Sequence, residues 1–271
     1  MALTSKTTVK SINMVDSMSQ PLTIQELVIV VAAKNQNPSI LNPDFLKYSG
    51  IVPAEWEFAG KPVFSNNFTR ISFKNGVSIV GEPNRVIFAE PIADKTTATV
   101  SVAKIAQKYA QVLPNMDFQA IGINPRGFVA FTMEDAARNF ITKHLLSEGA
   151  WKEEGEVPMQ ASLNLVYKLQ DIPVALNITQ AELRQKDKAI PIVIFSGNFS
   201  HQITGNNSEE KLSFITQTIE NWFSDVTTFS NLVNNKFMAG VDSNIALTKI
   251  VQGIPEANPE GSDIFAVGAG A

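Results

Sequence analysis

Reactive side chains are scarce in this chain, and that narrows the chemistry open to it. Only His144 and His201 offer an imidazole, and there is no cysteine. A Ser-His-Asp arrangement would need the fold to place one of these two histidines. His201 follows Phe199-Ser200 at the end of a predicted strand and is the candidate base; a strand-end histidine without catalytic duty is the plainer reading. His144 falls in the last turn of a predicted helix, where a cation suits the negative end of the dipole. Two imidazoles without a thiolate are too few donors for structural zinc, so no metal is expected. Carboxylate pairs come next. Glu55 and Glu57 flank Trp56, and two acids around an aromatic ring suit a carboxylate-dependent hydrolase acting on sugars. With 26 acidic residues, such pairs also arise by chance. Asn124-Pro125-Arg126-Gly127 reads as a tight turn. It could present the Asn124 amide and the Arg126 guanidinium to a carboxylate or phosphate. A geometric turn with a solvated arginine accounts for the same residues.

Motifs for other chemistries are missing from the text of the chain. No Gly-x-x-x-x-Gly-Lys-Ser/Thr loop, no Gly-x-Gly-x-x-Gly after a strand, no Gly-x-Ser-x-Gly elbow and no His-Glu-x-x-His pair occurs. No cofactor is therefore expected. The 271 residues carry 22 Lys+Arg against 26 Asp+Glu, a net charge of −4. With no cluster of basic residues to meet phosphates, nucleic acid is not an expected partner. The longest strongly apolar run, Leu27 to Ala33, is far below the ~20 residues of a membrane-spanning helix. The N-terminus has no apolar stretch of the kind that marks a secretory signal, so a cytoplasmic location is expected. Charged residues make up only 18 % of the chain, and its polarity comes largely from Asn, Ser, Thr and Gln. A weakly charged surface repels its own copies little, which favours self-association.

The elements that must position these groups follow from periodicity. Leu27 to Ala33 is a buried strand by length and β-branching. Residues 34–62, punctuated by four prolines, form a loop whose Phe45, Leu46, Tyr48, Trp56 and Phe58 must pack on something; Asn42 and Pro43 start a short helical turn within it. Phe68 to Lys74, Asn75-Gly76 and Val77 to Val80 predict a hairpin with a type I′ turn. Arg85 to Ala89 adds a third strand, and Arg70 and Arg85 are placed across this meander from one another. A helix over about 102–113 has one apolar face and ends at Pro114. Met116 to Ile123 is a strand, and Thr132 caps a helix running to about Ser147. Then Met159 to Leu169 alternates with period two, Pro173 breaks it, and Val174 to Ile178 and Ile190 to Phe199 are further strands. Asn207 and Ser208 open a long helix near 209–226.

Runs of strands followed by helices indicate an α+β fold: antiparallel sheet meanders with amphipathic helices packed on one face. The chain is expected to divide into an arm or edge strand (1–26), an α+β half (27–150), a second α+β half (157–250) and a loose tail (251–271). The two halves share an element order, which raises the question of a duplication.

Asn37-Pro38-Ser39-Ile40-Leu41-Asn42-Pro43-Asp44-Phe45-Leu46-Lys47, Ile51-Val52-Pro53 and Gly122-Ile123-Asn124-Pro125-Arg126-Gly127 together resemble a family of bacterial, cyanobacterial-type conserved hypothetical proteins. The likeness spans about residues 27–240. It implies a bacterial cytosolic protein and carries over no catalytic residue. Three functions remain open. The first is a non-enzymatic interaction or assembly protein that forms a homo-oligomer, a dimer above all, or binds another protein. In that case the tail segment Ile264 to Val267 could add a strand to a neighbour's sheet. The others are a small-molecule module with a cavity between sheet and long helix, and a hydrolase using Glu55 and Glu57.

Overall fold

The apolar run near residue 30 becomes β1 (Thr23–Ala33), and it lies at the middle of an antiparallel sheet. This computed structural model describes residues 21–185, 188–241, 246–247 and 265–266. On one side of β1 the order is β5 (Arg85–Pro91), β4 (Ser78–Glu82), β3 (Phe68–Ser72) and β2 (Val63–Ser65). On the other side come β6 (Phe118–Phe131), β9 (Lys188–Gln202) and β8 (Ile172–Gln185), with β7 (Ser162–Leu169) outside β8. Two short pieces extend the sheet: β10 (Ala246–Leu247) pairs with β6, and β11 (Phe265–Ala266) pairs with β8. The fold is α+β, as the alternation of residue types predicts. Strands from both halves of the chain share one sheet, because β6 pairs with β1 on one edge and β9 on the other.

The helices cover one face. Leu27, Ile29 and Val31 of β1 and Ile121 and Ile123 of β6 turn towards them and are fully or almost fully buried. Helix α2 (Val102–Val112) lays Val102, Ile105, Ala106 and Tyr109 on β1 and β5, while α1 (Pro43–Tyr48) sits in the long loop. Asn42 caps α1, its side chain accepting from the Phe45 N–H at 2.8 Å. Helices α4 (Ser208–Glu220) and α5 (Trp222–Leu232) pack on β6, and α3 (Glu134–Asn139) packs on β9, β6 and β8. On the other face Phe128, Ala130, Ala181, Leu183, Ile192 and Ile194 form a second, smaller buried cluster. Among the described residues no helix is long and apolar enough to cross a membrane.

Several local expectations are corrected. Only Gly76 of the Asn75-Gly76 pair has a positive φ (+88°). The Phe73 N–H donates to the Val77 carbonyl and the Gly76 N–H to the Phe73 carbonyl. The loop is therefore three residues long, with glycine at its left-handed position, and not a two-residue type I′ turn, which needs positive φ twice. Arg70 faces Val80 and Arg85 faces Glu82, so the two arginines are not opposite each other. Asn124 to Gly127 is no turn but the middle of β6. A proline fits there because the β6–β9 pairing skips positions 124 and 125, where its absent N–H leaves no gap in a continuous ladder. Gly127 is required for a different reason: a Cβ there would stand 2.6 Å from the Thr23 carbonyl oxygen of β1.

Pro173 is the second residue of β8, before the pairing with β9 begins at Val174, so its missing N–H interrupts no bond to β9. Thr132 is not the cap of α3, since the backbone is still extended at Met133, the residue in the cap position. The helical path continues past α3 as a wider π-helical turn over Phe140–Leu145, and Phe140 packs between Phe131 and Phe195. The single long helix expected near 209–226 is two, divided at Asn221.

Candidate functional site

Residues singled out for chemistry fall in three separate places. His201, near the end of β9, pairs in register with Ile121 and so faces the helices. Its Nε2 lies 2.8 Å from Oδ2 of Asp225 on α5. Asp225 occupies the buried stripe of α5 beside Trp222, Val226 and Phe229 and is only 8 % exposed. With the carboxylate ionised, the imidazole N–H donates to it. A carboxylate in an apolar stripe needs such a donor, because leaving it unpaired would cost several kcal/mol. This Asp-His pair fixes a tautomer and a ring orientation, the part an orienting acid performs in a nucleophilic triad. Among the described residues no serine or threonine hydroxyl hydrogen bonds to the ring, so the pair joins α5 to β9 without a nucleophile.

Asn124 and Arg126 share the opposite face of β6. They sit two residues apart, which in a strand places both on one side. Val28 faces Asn124 across the β1 ladder, and Glu26 and Ser196 face Arg126 from β1 and β9. Asn124 Oδ1 is buried without a hydrogen-bond partner among the described residues. The two side chains leave the same face of an extended strand. The rigid turn meant to present them is replaced by extended strand.

Glu55 and Glu57 lie in the long loop where it runs beside β3. The Ala59 N–H donates to the Ser72 carbonyl, and the Lys74 N–H to the Glu57 carbonyl. Trp56 turns inward and packs edge-on against Phe73 at 5.2 Å, which sends its two acidic neighbours the other way, into solvent. Lys74 pairs with the Glu57 carboxylate, and this hydrogen bond and charge hold the Glu57 carboxyl below the usual carboxylate range. A carboxyl held ionised is poorly suited to act as a general acid near neutral pH. Five strand spacings separate β3 from β9, roughly 24 Å at ~4.8 Å each, so Glu57 and His201 do not meet.

Three features were not anticipated from residue types. Glu90 on β5 is fully buried and receives the N–H groups of Ser101 and Val102 at 2.7 and 2.6 Å and the Lys95 ammonium at 2.6 Å. It thus caps the start of α2 from another element. The signal was present: Val86, Phe88 and Glu90 alternate inward, so an acid occupies a core position. Asp225 carries the same kind of signal, an acid within the apolar stripe of α5. The third feature is a cleft of about 250 Å³ between the end of α2, the start of β6 and the start of α4, lined by Asn115, Met116, Asp117, Asn206, Asn207 and Lys211 among others. The α4 start is already capped there, with Asn207 Oδ1 accepting from the Glu210 N–H and the Glu210 carboxylate from the Asn206 N–H. Among the described residues no group of three or more histidines or acids is placed to hold a metal ion. No protein-family model matches this chain, and no curated protein matches it.

Proposed function

We propose that this protein is a non-enzymatic interaction protein that associates with copies of itself. The observation that carries the reading is a long antiparallel sheet, covered by helices on one face, whose outermost strands place large apolar side chains in solvent. Val63 and Phe64 are exposed on β2, and Val166 on β7. Open strand edges of this kind are places where further strands add. The dispersal of the candidate reactive groups supports the same reading: His201 faces the helices, Asn124 and Arg126 the other side of the sheet, and Glu55 and Glu57 the solvent beside β3. Sedimentation equilibrium over a wide concentration range tests it. A mass that rises from monomer to dimer with concentration is expected; a monomer throughout would sink the proposal.

The cleft beside α4 favours a second reading, a small-molecule binding module. Its polar rim and its volume near the lower end of ligand pockets suit a compact polar molecule. Native mass spectrometry of the purified chain would then retain extra mass; a spectrum of bare protein at every concentration of added metabolite mixture counts against it.

A further inference from the structure

Resting on the reading that the protein self-associates, we infer that β7 is the contact. Two copies would join their β7 strands antiparallel about a twofold axis, edge to edge, making one continuous sheet. The partner is thus a second copy of this chain.

Backbone geometry favours this edge. β7 pairs with β8 through eight consecutive positions, Ser162–Thr179 to Leu169–Ile172, with no bulge. Its other edge pairs with no strand among the described residues. A flat, regular edge presents a row of N–H and C=O groups that another strand can satisfy. The outer side of β8 already accepts a strand further along, where Phe265–Ala266 pairs with Glu182 and Leu183.

The β7 edge also lacks the usual guards. Edges are normally blunted by proline, bulges, shortness or charge. The opposite edge follows that rule: β2 has three residues and comes directly after Lys61-Pro62. β7 has no proline and a single charge, Lys168, which is drawn to Asp171 of its own hairpin turn at 2.7 Å. Meanwhile Val166, in mid-strand, is 75 % exposed.

The strand is complementary to itself. Leu163, Leu165, Tyr167 and Leu169 form a half-buried apolar row on the helix side. A twofold axis through Leu165 sets Leu163 against Tyr167 of the second copy. An axis through Val166 sets Leu165 against that same tyrosine. Both registers keep oily residues together on one face. Both place Lys168 opposite Ser162 or Asn164 of the second copy, never opposite another lysine, so no like charges meet.

Because the chain has no cysteine, one introduced thiol reports a contact without ambiguity. Val166→Cys in the full chain, treated with a short bismaleimide, is expected to give a covalent dimer, and Val63→Cys on β2 is not. Val166→Lys places like charges at or beside the axis and is expected to weaken dimerisation roughly tenfold to a hundredfold while the circular dichroism spectrum stays unchanged. A wild-type dimer that Val166→Lys leaves intact, with no cross-link through Val166→Cys, overturns this contact but leaves self-association standing. Cross-linking through Val63→Cys instead would move the contact to the other edge and also overturn it. A wild-type monomer at all concentrations removes both this inference and the reading beneath it.

Discussion

Single buried polar groups show how the core is made specific. The Tyr109 side chain is fully buried, and its hydroxyl donates to Gln36 Oε1 at 2.8 Å. Burial pushes the phenol's pKa up from its ordinary value of 10.0, against the smaller opposing effect of Gln36. The folded protein therefore holds this proton more tightly than the unfolded chain does. The resulting stability is intact below about pH 10 and is lost as the pH rises towards the folded value. Tyr109→Phe is expected to cost about 1–3 kcal/mol at pH 7, since Gln36 loses a donor inside the core. It should also flatten the decline of stability above about pH 10; urea titrations of both proteins between pH 7 and 11.5 would reveal whether the two curves converge. An equally steep alkaline decline in the variant would rule Tyr109 out as its source. The tyrosine's place on the buried face of a helix was legible from its spacing with Ile105 and Ala106. Its bond to Gln36 was not, because that residue lies 73 positions away in the chain.

At the scale of elements, the helix α2 illustrates capping from a distance. Ser101 stands at the cap position yet makes no side-chain cap bond. Glu90 does that work from β5, taking two helix N–H groups and the Lys95 ammonium. A carboxylate at a helix start also meets the positive end of the dipole. Glu90→Gln keeps the shape but removes the charge, weakening charge-assisted bonds. A loss of roughly 1.5–3 kcal/mol is expected, seen as a fall in Tm of about 4–10 °C by calorimetry. No change in Tm would mean that α2 gains nothing from this carboxylate. The periodicity of α2 marked its existence and its apolar face. The source of its cap could not be read, since it depends on the β1–β5 register bringing Glu90 beneath the first turn. The same limit applies to β6, where Pro125 and Gly127 have the text of a turn. Neighbouring strands on both sides hold that stretch extended, overriding local preference.

For the whole molecule, the central question is whether the two halves can stand alone. β6 belongs to the first half and β9 to the second, and they pair from Ala120–Gln202 to Ala130–Ile192. Helices α4 and α5 of the second half also pack on β6, and α4 touches α2. Separating them would expose Ile121, Ile123, Val129 and Phe131 on one side and Val193, Phe195, Ile219 and Phe229 on the other. Exposing so many large apolar side chains costs about 1.5–3 kcal/mol each, more than the few kcal/mol margin of a typical domain. Fragments 1–150 and 157–271 are therefore expected to give no cooperative unfolding transition when made singly; a sharp urea transition in either would contradict a shared core.

Periodicity alone determined that this chain builds antiparallel strands with helices on one side, because alternation and 3.6-residue spacing are local properties of a partly buried backbone. Residue types also marked which groups could react. Tertiary structure alone decided their company: Asp225 against His201, Lys74 against Glu57, and Asn124 and Arg126 on the far side of the sheet from the histidine. Those meetings depend on strand order and register, which are set by the joint burial of apolar faces from distant segments, and no single stretch of residues contains that information.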